Sequence, residues 1–369
     1  LIHRGNIVVT KPVLTFKLKR GSEKERHAFQ RWELTLAPHD ALHTLLARTH
    51  KYTLCLPLPL PFNAGVLMMS TPLFQGVIPP VATLFDDEGR FSPTEQARLI
   101  ERLVASDIDG LFFLGSAGEF AHMSDALRQE IAEFCVKQVA GRKPVLIGIG
   151  HSGTQQAIEL GLHAQRCGAD GVVAINPFYN PLSESNLIAH YQRISKALEL
   201  PVLLYNFPAL TGQSLPVSVI VELAKTCPNI VGLKDTVDTL SHIRETLAAV
   251  KPVRPDFAVF AGYDEYLFGT LILGGDGCIP ASANFAPQLT CGILKAYREQ
   301  DYATAVELQQ RLSLIPPLYG IDLPFYNAIK YALQLTGLDI SCNSLPPASP
   351  LTDEMKAQVK GILQTSGVI

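Results

Sequence analysis

From Gly76 onward, short apolar runs alternate with amphipathic stretches, and this alternation limits the possible folds more than any other feature. The runs cover residues 77–85, 110–114, 144–149, 171–175, 201–205, 230–233, 257–261 and 276–281. Helical periodicity follows over 93–106, 124–140, 153–167, 184–198, 217–226, 238–250, 264–273 and 287–299. Continuous apolar runs mark strands buried on both faces, as in a parallel sheet covered by helices. Eight strand–helix units in about 220 residues predict a (β/α)8 TIM barrel, and a doubly wound open sheet, which usually has fewer repeats, is the alternative. Ser92-Pro93-Thr94-Glu95 predicts a capping box with proline at the first helical position. Ser124 and Asp238 are read as further N-caps. After residue 300 the strand signals stop, and helical segments at 302–314, 324–337 and 351–364 are separated by Pro316-Pro317 and Pro346-Pro347. The expected organisation is a barrel over 71–300 with a three-helix C-terminal appendage over 301–369.

Residues 1–70 differ in character. They carry ten Lys/Arg against four Asp/Glu, which leaves +6 there and −9 in the rest of a chain whose total is −3. No helical or strand period persists in them. Glu23, Glu25 and Glu33 fit poorly with a targeting peptide, which is acid-poor. The segment is expected to be a poorly ordered extension outside the native fold, so that deleting 1–67 leaves activity intact. For the whole chain, the slightly acidic balance argues against a nucleic-acid partner. No apolar run reaches the ~18 residues that span a bilayer. Seven scattered cysteines without a Cys-x-x-Cys pair predict neither a zinc site nor a disulfide framework, and a cytoplasmic setting is expected.

In a barrel, chemistry sits at the carboxyl ends of the strands. The polar residues that end the apolar runs are Ser116, Tyr179, Tyr205-Asn206, Lys234, Tyr263-Asp264, Ser282 and Asn284. Among the ten lysines from residue 71 onward, only Lys234 ends a strand on that face. Lys137, Lys196, Lys225, Lys251, Lys295, Lys330, Lys356 and Lys360 fall on helical segments or their ends, where solvated charge is expected, and Lys143 starts a strand. On position alone, a rim lysine reaching water and a functional lysine stand level. Chemistry separates them. A lysine that attacks a carbonyl must be neutral, and at its ordinary pKa only roughly one in 2,500 is neutral at pH 7. Burial in a barrel mouth lowers that pKa. Adjacent strands would bring Tyr205 beside Lys234, where a phenol can move protons; the plain alternative is a strand tyrosine bonded to a rim carbonyl. Residues 148–153, G-I-G-H-S-G, match a dinucleotide fingerprint. That fold also needs an acid after the next strand, and Asp170 precedes it, so the glycines are read as rim turns.

Five motifs, in order, carry a resemblance: G-S-A-G-E (115–119), N-P-F-Y-N (176–180), Y-N-F-P-A-L-T-G (205–212), G-L-K-D (232–235) and G-Y-D-E (262–265). Over about residues 73–350 the chain resembles the dihydrodipicolinate synthase / N-acetylneuraminate lyase family of pyruvate-handling barrels. The resemblance implies that Lys234 forms a Schiff base, Tyr205 shuttles protons, and Ser116 and Tyr179 relay them, with Tyr179 lent to a neighbouring subunit of a homotetramer. It implies that Gly115 to Ala117 hold the pyruvate carboxylate of a keto acid, and that Thr236, Gly262, Asp264 and Glu265 meet the hydroxyls of the substrate. No cofactor or metal is implied. Two departures count. Ala117 stands where the family often has a second hydroxyl, which weakens carboxylate binding by about 1–3 kcal/mol if nothing compensates. Leu210 stands where the synthases have an arginine for the second substrate. The motif set, with G-G-D-G and A-S-A-N-F-A-P, looks most like the 2-keto-3-deoxy sugar acid aldolases. Dihydrodipicolinate synthase, N-acetylneuraminate lyase and a keto-acid sensor without turnover are the alternatives.

Overall fold

The computed structural model describes residues 71–369; the expectation for 1–70 lies outside them. Eight strands run parallel: β1 (Gly76–Val77), β2 (Leu111–Phe113), β3 (Val145–Gly148), β4 (Gly171–Ile175), β5 (Val202–Asn206), β6 (Ile230–Asp235), β7 (Ala258–Ala261) and β8 (Gly277–Cys278). Their order is β1-β8-β7-β6-β5-β4-β3-β2. The chain just past β1 meets β2, since Val81 N donates to Phe112 O (2.8 Å) and Phe112 N to Pro79 O (3.0 Å). The architecture is a (β/α)8 TIM barrel. Apart from the polar residues that end β5 and β6, its strands are apolar, and almost every strand residue is buried, as the continuous runs require.

The strand at 77–85 was expected to be long, and the regular ladder covers only Gly76–Val77. Pro79 and Pro80 have no N–H to donate, so the β1–β8 ladder stops short of them, and the chain beyond meets β2 through a single bridge from Pro80 to Phe112. Pro280 likewise ends β8 at Cys278.

Helices α1 (Pro93–Val104), α2 (Asp125–Val139), α3 (Thr154–Cys167) and α4 (Glu184–Ala197) follow β1 to β4. A single turn, α5 (Pro208–Thr211), comes directly after β5 and is closed by left-handed Gly212. Then come α6 (Val217–Thr226), α7 (Leu240–Val250), α8 (Leu267–Ile272) and α9 (Pro287–Arg298). Ser124 caps α2 as expected, accepting from Leu127 N. Ser92 does not cap α1 with its side chain; its N–H donates to Leu84 O, and Glu95, the other half of the expected box, accepts from Ser341 N at 3.1 Å. Thr239, and not Asp238, caps α7; Asp238 accepts from Tyr266 Oη instead.

The chain ends in α10 (Tyr302–Leu312), α11 (Tyr326–Leu335) and α12 (Asp353–Thr365), close to the three helical segments expected. Helix α11 packs against the 281–284 turn after β8, which puts part of the C-terminal block at the carboxyl ends of the strands. Among the described residues no helix is long and apolar enough to cross a membrane.

Candidate active site

Strands β5 and β6 pair so that Tyr205 lies opposite Lys234, and Phe260 of β7 flanks Lys234 on the other side. Lys234 is 3% exposed and Tyr205 is 2% exposed. The Lys234 Nζ sits 4.2 Å from the centre of the Tyr205 ring and 5.2 Å from that of Phe112. Burial brings the amine down to a pKa of about 7, and the nearby Cys278 and Asp264 offset only part of that. A substantial fraction is therefore neutral at pH 7. Burial pushes the Tyr205 phenol up to about 12, against the opposing pull of the Ser116 and Thr236 hydroxyls. The phenol stays protonated and can hand a proton on. Its Oη lies 3.2 Å from Ser116 Oγ, where either group can donate.

Ser116 belongs to a tight turn, Ser116–Gly118, set between left-handed Leu114 (φ 57°) and Glu119 (φ 61°). A side chain at Gly115 would lie 2.6 Å from the Phe112 ring, so only glycine fits this approach. Gly118 N donates to Gly115 O, and Thr83 Oγ1 donates to Gly118 O. Among the described residues, the amides of Ser116 and Ala117 find no acceptor, an arrangement suited to an anion. Ala117 is buried beside them without a hydroxyl.

Across the mouth, Thr236 follows β6 and Gly262 follows β7. A Cβ at Gly262 would lie 1.8 Å from Thr236 Oγ1, so the glycine makes room for the threonine. Asp264 is buried, and its oxygens are already engaged: Oδ1 accepts from Ser282 Oγ (2.8 Å) and N (3.3 Å), and Oδ2 from Tyr319. Burial raises its pKa against those hydrogen bonds. Thr236 Oγ1 and Glu265 Oε2, by contrast, are buried outside hydrogen-bond geometry, although the Thr236 hydroxyl lies near enough to the Tyr205 phenol to act on it. They are the polar atoms left over for a ligand.

Tyr179 is not brought into the site. It is 90% exposed, in a left-handed conformation (φ 81°), on the loop after β4. Leu210 on α5 is also exposed.

Two groups were missed from the sequence. Asp235, next to Lys234, accepts from Asn206 Nδ2 (2.8 Å) and pairs with His242 Nδ1 (2.7 Å), while His242 Nε2 faces Leu215 O (3.0 Å). Both ring nitrogens face acceptors, so the imidazolium is favoured. Burial works against the charge, and the Asp235 carboxylate more than offsets it, leaving the pKa raised. The second group is Lys330, expected among the solvated lysines. It is fully buried and paired with buried Glu119 at 2.5 Å. A signal was present: Tyr326, Ile329, Lys330 and Leu333 form one stripe at helical spacing, with lysine on the apolar side.

The G-I-G-H-S-G glycines serve packing. A Cβ at Gly148 would lie 2.0 Å from Leu114 O, and one at Gly150 2.5 Å from the Ile175 side chain. Buried Arg128 takes the carbonyls of both. Among the described residues, the one His/Cys/carboxylate group of metal-ligating size is Glu133, His163 and Cys167 on α2 and α3. Glu133 meets His163 Nε2 at 3.0 Å, and Cys167 Sγ lies 3.5 Å from Nδ1 and 3.8 Å from Nε2.

A parallel barrel with a desolvated lysine, a phenol–hydroxyl pair and a turn of unpaired amides at its strand ends defines the class: a (β/α)8 protein with a lysine-centred site. The chain belongs to the dihydrodipicolinate synthetase family, whose model matches residues 73–366. It is 48% identical over 297 residues, 80% of this chain and 98% of the relative, to "Putative 2-dehydro-3-deoxy-D-gluconate aldolase YagE" of Escherichia coli K12. It is 46% identical over 296 residues, with the same coverage, to "Probable 2-dehydro-3-deoxy-D-pentonate aldolase YjhH" of the same organism. A 4-hydroxy-tetrahydrodipicolinate synthase of Phenylobacterium zucineum is 34% identical over 302 residues, 82% of this chain and all of that one. The crystal structure of YagE in complex with pyruvate superposes with a TM-score of 0.79, covering 80% of this chain and 100% of that chain.

Proposed function

We propose that the protein is a class I aldolase that cleaves a 2-keto-3-deoxy sugar acid to pyruvate and an aldehyde, or runs the reverse. The observation that carries this reading is a fully desolvated lysine, with its pKa near 7, in register with a buried tyrosine bonded to Ser116. Neutral Lys234 attacks the keto carbon. Tyr205 supplies the proton with which the carbinolamine oxygen leaves as water. The resulting iminium accepts the electron pair of the C3–C4 bond as that bond breaks, giving an enamine and an aldehyde. The Tyr205 oxygen, having given up its proton at the carbinolamine, takes the proton of the C4 hydroxyl and delivers it to C3 of the enamine, steadied by its hydrogen bond to Ser116, and it recovers a proton in the hydrolysis that follows. Water then releases pyruvate and free Lys234. The net change moves one proton from oxygen to carbon and needs no redox partner.

The unpaired amides of Ser116 and Ala117, beside Gly115, suit the carboxylate. Thr236 and Glu265 suit substrate hydroxyls, since polar groups left unpaired in a site favour a ligand that bonds them. Asp264, already bonded to Ser282 and Tyr319, acts at one remove by holding negative charge near Lys234. The sugar-acid names of YagE and YjhH favour the same substrate class. A homotetramer in the cytoplasm, with Tyr179 reaching a neighbouring site, completes the proposal.

Borohydride reduction in the presence of pyruvate tests it. Mass spectrometry should find one adduct, on Lys234; an untouched Lys234 sinks the mechanism. A second reading, dihydrodipicolinate synthesis, draws on the Phenylobacterium relative. Exposed Leu210 offers no guanidinium for a second carboxylate, so a coupled assay with aspartate semialdehyde should give no product.

A further inference from the structure

The turn that carries Ser116 is held in a conformation the chain would not adopt by itself. Leu114 and Glu119, one on each side, are both left-handed without being glycine. Such residues persist where surrounding contacts over-determine them. At Leu114 the approach is steric: its carbonyl fills the space a side chain at Gly148 would need. At Glu119 the hold is electrostatic. Its side chain is wholly buried, with one oxygen against Lys330 Nζ at 2.5 Å and the other accepting from Leu345 N at 2.9 Å. Lys330 Nζ also donates to Asn343 O and lies 4.9 Å from the centre of the Phe85 ring. Asn343 is tied in turn to Asp86 O and Asp87 Oδ1. A single buried cation therefore joins helix α11, the 341–345 segment and the loop after β1 to the residue that closes the Ser116 turn.

We infer that Lys330 and Glu119 are positioning residues: the pair clamps the 115–118 turn so that its free amides and Ser116 Oγ face the keto acid. The inference rests on the proposed function for what the turn binds, but the clamp itself is a statement about the unliganded chain. A buried ion pair is a poor source of net stability, because desolvating both charges offsets their attraction. Replacing both partners by neutral groups of similar size is thus tolerated by the fold, while the ionic anchor of Glu119 on Lys330 is lost and only an uncharged contact to Leu345 N can remain. A pair serving only stability and a pair serving position are separated by what that double variant does.

The test uses the full chain with Glu119→Gln and Lys330→Met combined. Three quantities are followed: circular dichroism, amide hydrogen exchange of the peptide spanning 114–120, and the pyruvate concentration that half-saturates borohydride trapping. The double variant should fold. Exchange in 114–120 should quicken at least tenfold, with the other barrel strands unchanged. Half-saturation should rise tenfold or more, while trapping at saturating pyruvate still reaches one adduct per chain. Wild-type exchange in 114–120 together with wild-type half-saturation would overturn the clamp, whatever the melting temperature does. If the unaltered protein traps no pyruvate, the Schiff-base reading fails, and exchange in 114–120 alone then decides the clamp.

Discussion

Lys234 must be buried enough to lose its proton and close enough to water to have gained one. Burial is the dominant influence on its amine, bringing it to about 7, and Cys278 and Asp264 work the other way. Imine formation with pyruvate should therefore speed up between pH 6 and 8 and level off above that, where an exposed lysine would keep gaining to about pH 10. Quenched-flow trapping across pH 5.5–9.5 measures this; a rise that continues to pH 9.5 would show that the amine is not desolvated in solution. Tyr205 makes a second demand at the same scale. Its ring supplies one wall around the Lys234 Nζ, and its hydroxyl makes the hydrogen bond to Ser116 along which the proposed relay would run. Tyr205→Phe keeps the wall and removes the relay. It should lower carbon–carbon cleavage by about 10²–10⁴, the usual worth of a positioned proton donor. Lys234 should still be trapped to full stoichiometry at long times, more slowly because the carbinolamine proton is also lost, but with a smaller loss of rate than cleavage shows. Equal loss of trapping rate and cleavage rate would mean that the phenol acts only in imine formation and not on the leaving hydroxyl.

At the scale of elements, the end of β6 is fixed from behind by Asp235, which reaches Asn206 on β5 and His242 on α7. His242 has a raised pKa in the folded chain, with the Asp235 carboxylate overcoming the cost of burial. A raised histidine contributes stability that is fully present below its unfolded value near 6.5 and is lost as pH climbs through the folded value. His242→Gln keeps a donor and drops the charge, so it should cost about 1.5–3 kcal/mol below pH 6.5, with the deficit narrowing as pH rises through the raised folded value. Urea melts of both proteins at pH 6 and pH 8.5 measure it, and a deficit that grows with pH would reverse the assignment. None of this was legible in advance. His242 looks like any polar position on an amphipathic helix, and its partner lies at the end of the preceding strand. Lys330 is the sharper case, because its place on the apolar stripe of α11 was visible while its counter-charge, Glu119, lies on a distant stretch of the chain. What could be read was what repeats locally: eight apolar runs, helical periods to within a few residues, and the strand-end rule that singled out Lys234 and Tyr205. Local chemistry also misled. Ser92 has the sequence of a capping box, yet Glu95 is drawn off to Ser341, a contact that exists only once the C-terminal block has packed.

For the whole molecule, the open question is where the relay from Ser116 ends. Tyr205 and Ser116 are buried together, but Tyr179 projects from the loop after β4 with nearly all of its surface exposed. A phenol in that position cannot serve its own Lys234 without a rearrangement of the loop, whereas a second copy facing it would receive the ring ready-placed. The left-handed backbone at Tyr179 is consistent with a side chain held outward at a cost. If the relay crosses between subunits, each site has two contributors, and defects in different contributors can be separated. Lys234→Met removes the amine and leaves Tyr179; Tyr179→Phe removes the phenol and leaves the amine. Each should be strongly impaired alone, the first without trapping and the second with slow cleavage, down by at least tenfold. Mixed and reassembled after mild dissociation, the two should form sites that pair an intact Lys234 with an intact Tyr179, and cleavage should recover well beyond the sum of the separate activities. Recovery should fail if dissociation is omitted, because subunits must exchange. A mixture no more active than its parts, with exchange verified by native mass spectrometry, would return Tyr179 to its own chain and require the loop after β4 to fold back over the barrel mouth.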